Sequence, residues 1–96
     1  MVKKNVALGL YLKERRVASG LSQNNVADKL GYTSAQFVSN WERGLCSPPM
    51  DILNKLIKLY KMDAKQLMKC MLDDTKRELA ADFARHHISL PKSKVV

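Results

Sequence analysis

Apolar residues recur along most of the chain at intervals of three and four, the period of an α-helix, and no segment alternates as a half-buried strand would. Gly20, Gly31, Gly44 and the Pro48-Pro49 pair cut this pattern into short segments. The first predicted helix covers about residues 8–19, with Leu8, Leu12 and Arg16 on one face and Gly20 just past its end. The second follows Ser22, a good N-cap, and runs from Gln23 to Leu30 with Val26, Ala27 and Leu30 facing inward. The third follows Thr33 or Ser34, either of which can cap it, and extends to about Arg43. Val38 and Trp41 form its buried edge, with Phe37 beside Trp41. Pro48-Pro49 opens a fourth helix over about residues 50–60, since proline suits a first helical turn. Its apolar face is Ile52, Leu53, Leu56, Ile57 and Tyr60, while Lys55, Lys58 and Lys61 point to water. Asp63 caps a fifth helix, which carries Leu67, Met68, Met71 and Leu72.

Past Leu72 the pattern allows two readings. Met68, Leu72, Thr75, Leu79 and Phe83 keep a helical stripe, so the fifth helix can run unbroken to about His87. Alternatively, Thr75-Lys76-Arg77-Glu78 is a capping box that starts a sixth helix. The stripe tips the balance slightly to one long helix of roughly 36 Å, more than a globule this small can cover. Met68, Leu72, Leu79 and Phe83 would then seek the same helix of a second copy, unless the segment folds back on its own core. The chain divides into a domain over residues 6–72, a helical extension over 73–90 and a flexible tail over 91–96.

The third helix also has a wholly polar edge. Gln36, Asn40 and Arg43 recur at helical spacing, with Ser39 adjoining. Most such edges are simply solvated. Two amides on one edge are also what adenine recognition needs, because an Asn or Gln side chain donates and accepts at once.

Composition narrows the functions available. The chain has 96 residues, enough for one small domain, and 46% of them are hydrophobic, which supports a packed core. At that length neither a large metabolic enzyme nor a two-domain regulator is expected. Seventeen Lys and Arg against nine Asp and Glu give a net charge of +8, which favours polyanionic partners. The charge is split evenly between the two halves, +4 over residues 1–49 and +4 over 50–96, so it does not locate a binding face. Cys46 and Cys70 are too few for a disulfide framework, and with the adjacent His86 and His87 they fit no zinc spacing. No metal or cofactor is expected. Asp73-Asp74 reads as a solvent-exposed acidic step, and no nucleophile and base fall into place, so an enzyme is not expected. The N-terminal run starting at Met1 is too short and too soon charged for a secretory signal, and nothing approaches a membrane span. A cytoplasmic protein is expected.

Gly20-Leu21-Ser22-Gln23, Val26-Ala27-Asp28-Lys29-Leu30-Gly31 and Val38-Ser39-Asn40-Trp41-Glu42-Arg43-Gly44 resemble the helix-turn-helix of the XRE- and Cro-type (lambda-repressor-like) bacterial and phage repressors. The likeness continues through Pro48 to Leu67. It implies an all-α, five-helix lambda-repressor-like DNA-binding domain, to which the stripe past Leu72 adds a C-terminal helical extension, acting as a repressor in a bacterial nucleoid or a phage-infected host. It implies that Gln36, Ser39 and Asn40 read bases of double-stranded DNA. It also implies that Gln23, Ser34 and Arg43 hold phosphates, that Gln23 buttresses the reading helix, and that Arg16 and Glu42 form a salt bridge from the first helix to the third. The interval from Gly31 to Gly44 is 13 residues, one longer than the usual pattern, with the extra residue at Tyr32-Thr33-Ser34. The loop Leu45-Cys46-Ser47-Pro48 carries no Lys or Arg, so Ser47 and backbone amides take the phosphate role there, with Lys3 and Lys4 as arm contacts.

Two rival functions share this frame. One is an antitoxin whose C-terminal stripe serves a toxin. The other is a protein-interaction adaptor that has lost DNA binding, for which the uncharged loop is the best support.

Overall fold

Five α-helices follow one another in the computed structural model, which describes residues 4–89: α1 (Val6–Ala18), α2 (Gln23–Leu30), α3 (Gln36–Glu42), α4 (Met50–Leu59) and α5 (Ala64–Arg85). The described residues contain no strand, and the fold is all-α. The tail over 91–96 and Lys3 lie outside the described residues.

Ser22 caps α2 through a full box: its hydroxyl accepts from the Asn25 amide at 3.0 Å, and the Asn25 side chain accepts from the Ser22 amide at 3.0 Å. Gly31 ends α2 at φ +83°, a left-handed conformation that costs glycine little. The start of α3 differs from expectation. Ala35 occupies the cap position without a side-chain bond, and Ser34 instead accepts from the Gln36 amide at 3.3 Å. α5 is one helix through Thr75 and there is no sixth among the described residues. The Thr75 hydroxyl donates back to the Met71 carbonyl at 3.0 Å, a mid-helix bond that leaves it unable to cap a new start.

Leu8, Leu12, Val26, Val38, Trp41, Leu53, Leu56, Tyr60 and Leu67 fill the core. Burial, followed by the nearby Glu42 charge, pushes the Tyr60 hydroxyl above its ordinary range. At Gly9 two helices meet backbone to backbone. A Cβ there would lie 2.6 Å from the Glu42 carbonyl oxygen and 2.7 Å from that of Trp41, so α1 can rest on the end of α3 only because the side chain is absent.

Asp74 is not part of an exposed acidic step. It is 3% exposed, and its carboxylate accepts from the Ala7 amide at 2.8 Å, the Leu8 amide at 2.9 Å and Arg77 Nη1 at 3.1 Å. A residue on α5 therefore does for the first turn of α1 what an N-cap does locally, satisfying two orphan amides and meeting the positive end of the helix dipole. Asn5, at the local cap position, makes no side-chain bond. This long-range cap lets α1 begin at Val6, ahead of the expected residue 8. Asp74→Asn keeps one acceptor but loses the charge and an acceptor oxygen, and should lower stability by about 1–2 kcal/mol in urea titration. An unchanged midpoint would mean that the Asp74 bonds add nothing to folding.

Phe37 also departs from its expected place. It is 53% exposed, outside the buried edge that Val38 and Trp41 form.

Candidate nucleic-acid interface

The polar edge of α3 is on the outside of the molecule. Gln36 and Arg43 are exposed, and Ser39 and Asn40 are half-buried at the margin. Gln36 Nε2 donates to Asn40 Oδ1 at 2.9 Å, and Arg43 Nη2 donates to the same oxygen at 3.4 Å. The three side chains thus form a connected row along the helix. Within the described residues the Gln36 side-chain Oε1 and the Asn40 Nδ2 have no hydrogen-bond partner. A row with both an acceptor and a donor to offer matches the mixed pattern that base pairs present in the major groove.

Behind this row sits a buried charge network. Glu42, 8% exposed, accepts from Arg16 Nε at 2.6 Å, Arg16 Nη2 at 3.0 Å and Gln23 Nε2 at 3.0 Å. Arg16 also donates to the Leu21 carbonyl at 2.8 Å. The Glu42 carboxylate therefore joins the last residue of α3 to α1 and to the first residue of α2, and Arg16 extends the link to the α1–α2 turn. The hydrogen bond to Glu42 is the main cause that raises the Arg16 pKa, against the opposing effect of burial. Gln23 acts here as a buttress, with one amide hydrogen turned to Glu42.

The remaining sequence-derived positions are more scattered. Ser34 is exposed in the turn before α3, and Ser47 is exposed in the loop after it, its hydroxyl donating to the Pro48 carbonyl at 3.2 Å. Lys4 pairs with Glu78 at 3.3 Å, a surface contact of little strength. Its backbone amide and that of Asn5 donate to the Gly44 carbonyl at 3.2 and 3.1 Å, which straps the N-terminal residues to the end of the α3 turn. Met68 and Leu72 are 61% and 59% exposed, and with Met50, Leu53, Ile57 and Met71 they line an open apolar groove of about 450 Å³ between α4 and α5. Leu79, also exposed, and Phe83, half-buried, lie further along the same stripe and outside the groove.

Three structural residues escaped the sequence. Gly9 carries no sequence signal beyond being a glycine inside a helical pattern, Asp74 partners amides 66 and 67 positions away, and Tyr32 braces Phe37 from the turn. Cys46 is exposed and Cys70 buried, its thiol pKa raised chiefly by burial. No group of His, Cys, Asp and Glu among the described residues could hold a metal ion, and none of the described helices is long and apolar enough to cross a membrane.

Residues 7–67 match the helix-turn-helix domain family. The chain belongs to that family. The match, consistent with an XRE-type DNA-binding protein, covers α1 to the first turn of α5 and makes the chain, in outline, a DNA-binding regulator. Neither a curated protein nor a solved structure matches it. The matched span includes the consecutive helices α2 and α3 and the turn between them. The matched span stops at Leu67, one residue before the exposed apolar stripe begins at Met68.

Proposed function

We propose that the chain is a sequence-specific transcriptional repressor that reads the major groove with α3 and binds its operator as a homodimer. The observation that carries this reading is the exposed Gln36–Asn40–Arg43 row on a helix fixed from behind by Glu42. Gln36, Ser39 and Asn40 discriminate bases. Arg43, Ser34, Ser47 and the first amides of α2 and α4 hold phosphates, contacts that set position without carrying sequence information. The DNA concerned is that of a bacterial nucleoid or a phage-infected host, and no cofactor or catalytic step is involved.

Dimerisation is assigned to the Met68, Leu72, Leu79 and Phe83 stripe of α5. Three large apolar side chains more than half exposed on one helix are costly to leave in water, and a two-fold axis along α5 would cover them in both copies. Two α3 helices related by that axis should meet half-sites about 34 Å apart. Selection from a genomic fragment library, followed by a band shift on the enriched duplex, tests the reading: a pseudo-palindrome with that spacing is expected. Leu72→Glu should halve the mass measured by light scattering while leaving helix content intact, and should weaken operator binding at least tenfold. A dimer indifferent to Leu72→Glu would move the interface elsewhere.

The apolar groove favours a second reading in which α4 and α5 hold a different protein, as in an antitoxin or an adaptor. A stable one-to-one complex with a toxin encoded beside it, in place of a homodimer, would decide for that reading.

A further inference from the structure

Phe37 is the second residue of α3, directly after Gln36 and three positions before Asn40, so it borders the polar row. Its ring is held in a definite place. The Tyr32 ring lies 4.9 Å from it, centroid to centroid and tilted by 32°, and Tyr32 meets buried Trp41 edge-on at 5.9 Å. Three rings therefore step outward from the core, Trp41 to Tyr32 to Phe37, and the last is 53% exposed. An isolated exposed apolar residue is ordinary and needs no explanation. This one is braced from behind and stands in the first turn of the reading helix, the part of such a helix whose side chains reach base edges.

The major groove offers an apolar feature that suits it. Of the four bases only thymine carries a C5 methyl there, and phenylalanine is among the side chains that contact it. Amides such as those of Gln36 and Asn40 favour adenine, whose partner in the duplex is thymine, so an apolar reader beside two amides is chemically consistent with an A·T-containing half-site.

We propose that Phe37 is a further specificity-determining residue, packing its ring on thymine C5 methyl groups at or next to the pairs that Gln36 and Asn40 read. This rests on the DNA-binding reading above and adds to it a base preference that the amides alone do not supply. The Tyr32 brace matters because a ring already fixed in place loses little freedom on binding.

The test uses the full chain and the tightest duplex recovered from a randomised library, with uracil placed at one thymine at a time. Uracil pairs as thymine does and lacks only the methyl. For the wild-type chain, one or two positions per half-site should bind about fourfold more weakly with uracil, the effect of one buried methyl group. Phe37→Ala should bind the thymine and uracil duplexes alike at those positions and keep its preference at the remaining ones, whereas Phe37→Leu should keep sensitivity to the methyl. A uracil scan without effect on the wild-type chain would overturn the proposal without any variant being needed. So would a folded Phe37→Ala protein that still discriminates at the same positions. Failure to recover any preferred duplex is a different result, which would remove the DNA reading and this role with it.

Discussion

Glu42→Ala is expected to destabilise the protein by about 3–5 kcal/mol, because it leaves the largely buried Arg16 side chain with its main partner gone. The side chains of Arg16 and Glu42 are 11% and 3% exposed, so water can solvate the stranded guanidinium only in part. Arg16 would keep its bond to the Leu21 carbonyl, and Gln23 would lose the acceptor that holds its amide. A surface pair removed in the same way would cost under about 1 kcal/mol. The two cases are far enough apart for a urea titration to separate them. Replacing both partners with apolar residues of similar size, Arg16→Met with Glu42→Leu, should recover much of the loss, since the penalty comes chiefly from the unpaired charge. Gln23→Ala alone should cost about 1 kcal/mol, the worth of one hydrogen bond. If Glu42→Ala proves no worse than Gln23→Ala, the network is a bystander and something else holds α3 in place.

Much of the fold could be read directly from the chain because its signals are local. Ser22 and Gly31 bound α2 as their chemistry requires, and Asp63 opens α5 by accepting from the Lys65 amide at 2.9 Å. The polar row on α3 followed from helical spacing alone, while the pairing of Arg16 with Glu42 came from the family resemblance, since their separation of 26 positions carries no local signature. Asp74 shows the limit clearly. Beside Asp73 it looks like half of a charged surface step, and only the approach of α1 to α5 turns it into the cap of a distant helix. Phe37 was misplaced for a related reason. Its spacing from Trp41 puts it next to the core, but in the structure the Tyr32 ring packs against both Trp41 and Phe37 while the Phe37 ring is more than half exposed. Thr75 carried a plausible capping sequence that the unbroken helix ignores, because its hydroxyl bonds within the preceding turn.

Sequence-specific binding depends on the amide row of α3 reading bases, and the largest functional effect is expected there. The quantity to measure is the ratio of affinities for the selected duplex and for a scrambled duplex of equal length, at one fixed salt concentration. Gln36→Ala combined with Asn40→Ala should lower that ratio by at least about thirtyfold, since each amide pair with a base supplies about 1–3 kcal/mol of discrimination. Affinity for the scrambled duplex should stay within about threefold, because neither amide carries the charge that governs non-specific binding. Arg43→Ala is the matched control. It should weaken both duplexes by the same factor and lower the slope of affinity against salt by about one. The predicted result is a collapsed ratio for the amide variant and a preserved ratio for Arg43→Ala. A preserved ratio for the amide variant, with the protein folded, would show that Gln36 and Asn40 do not read bases.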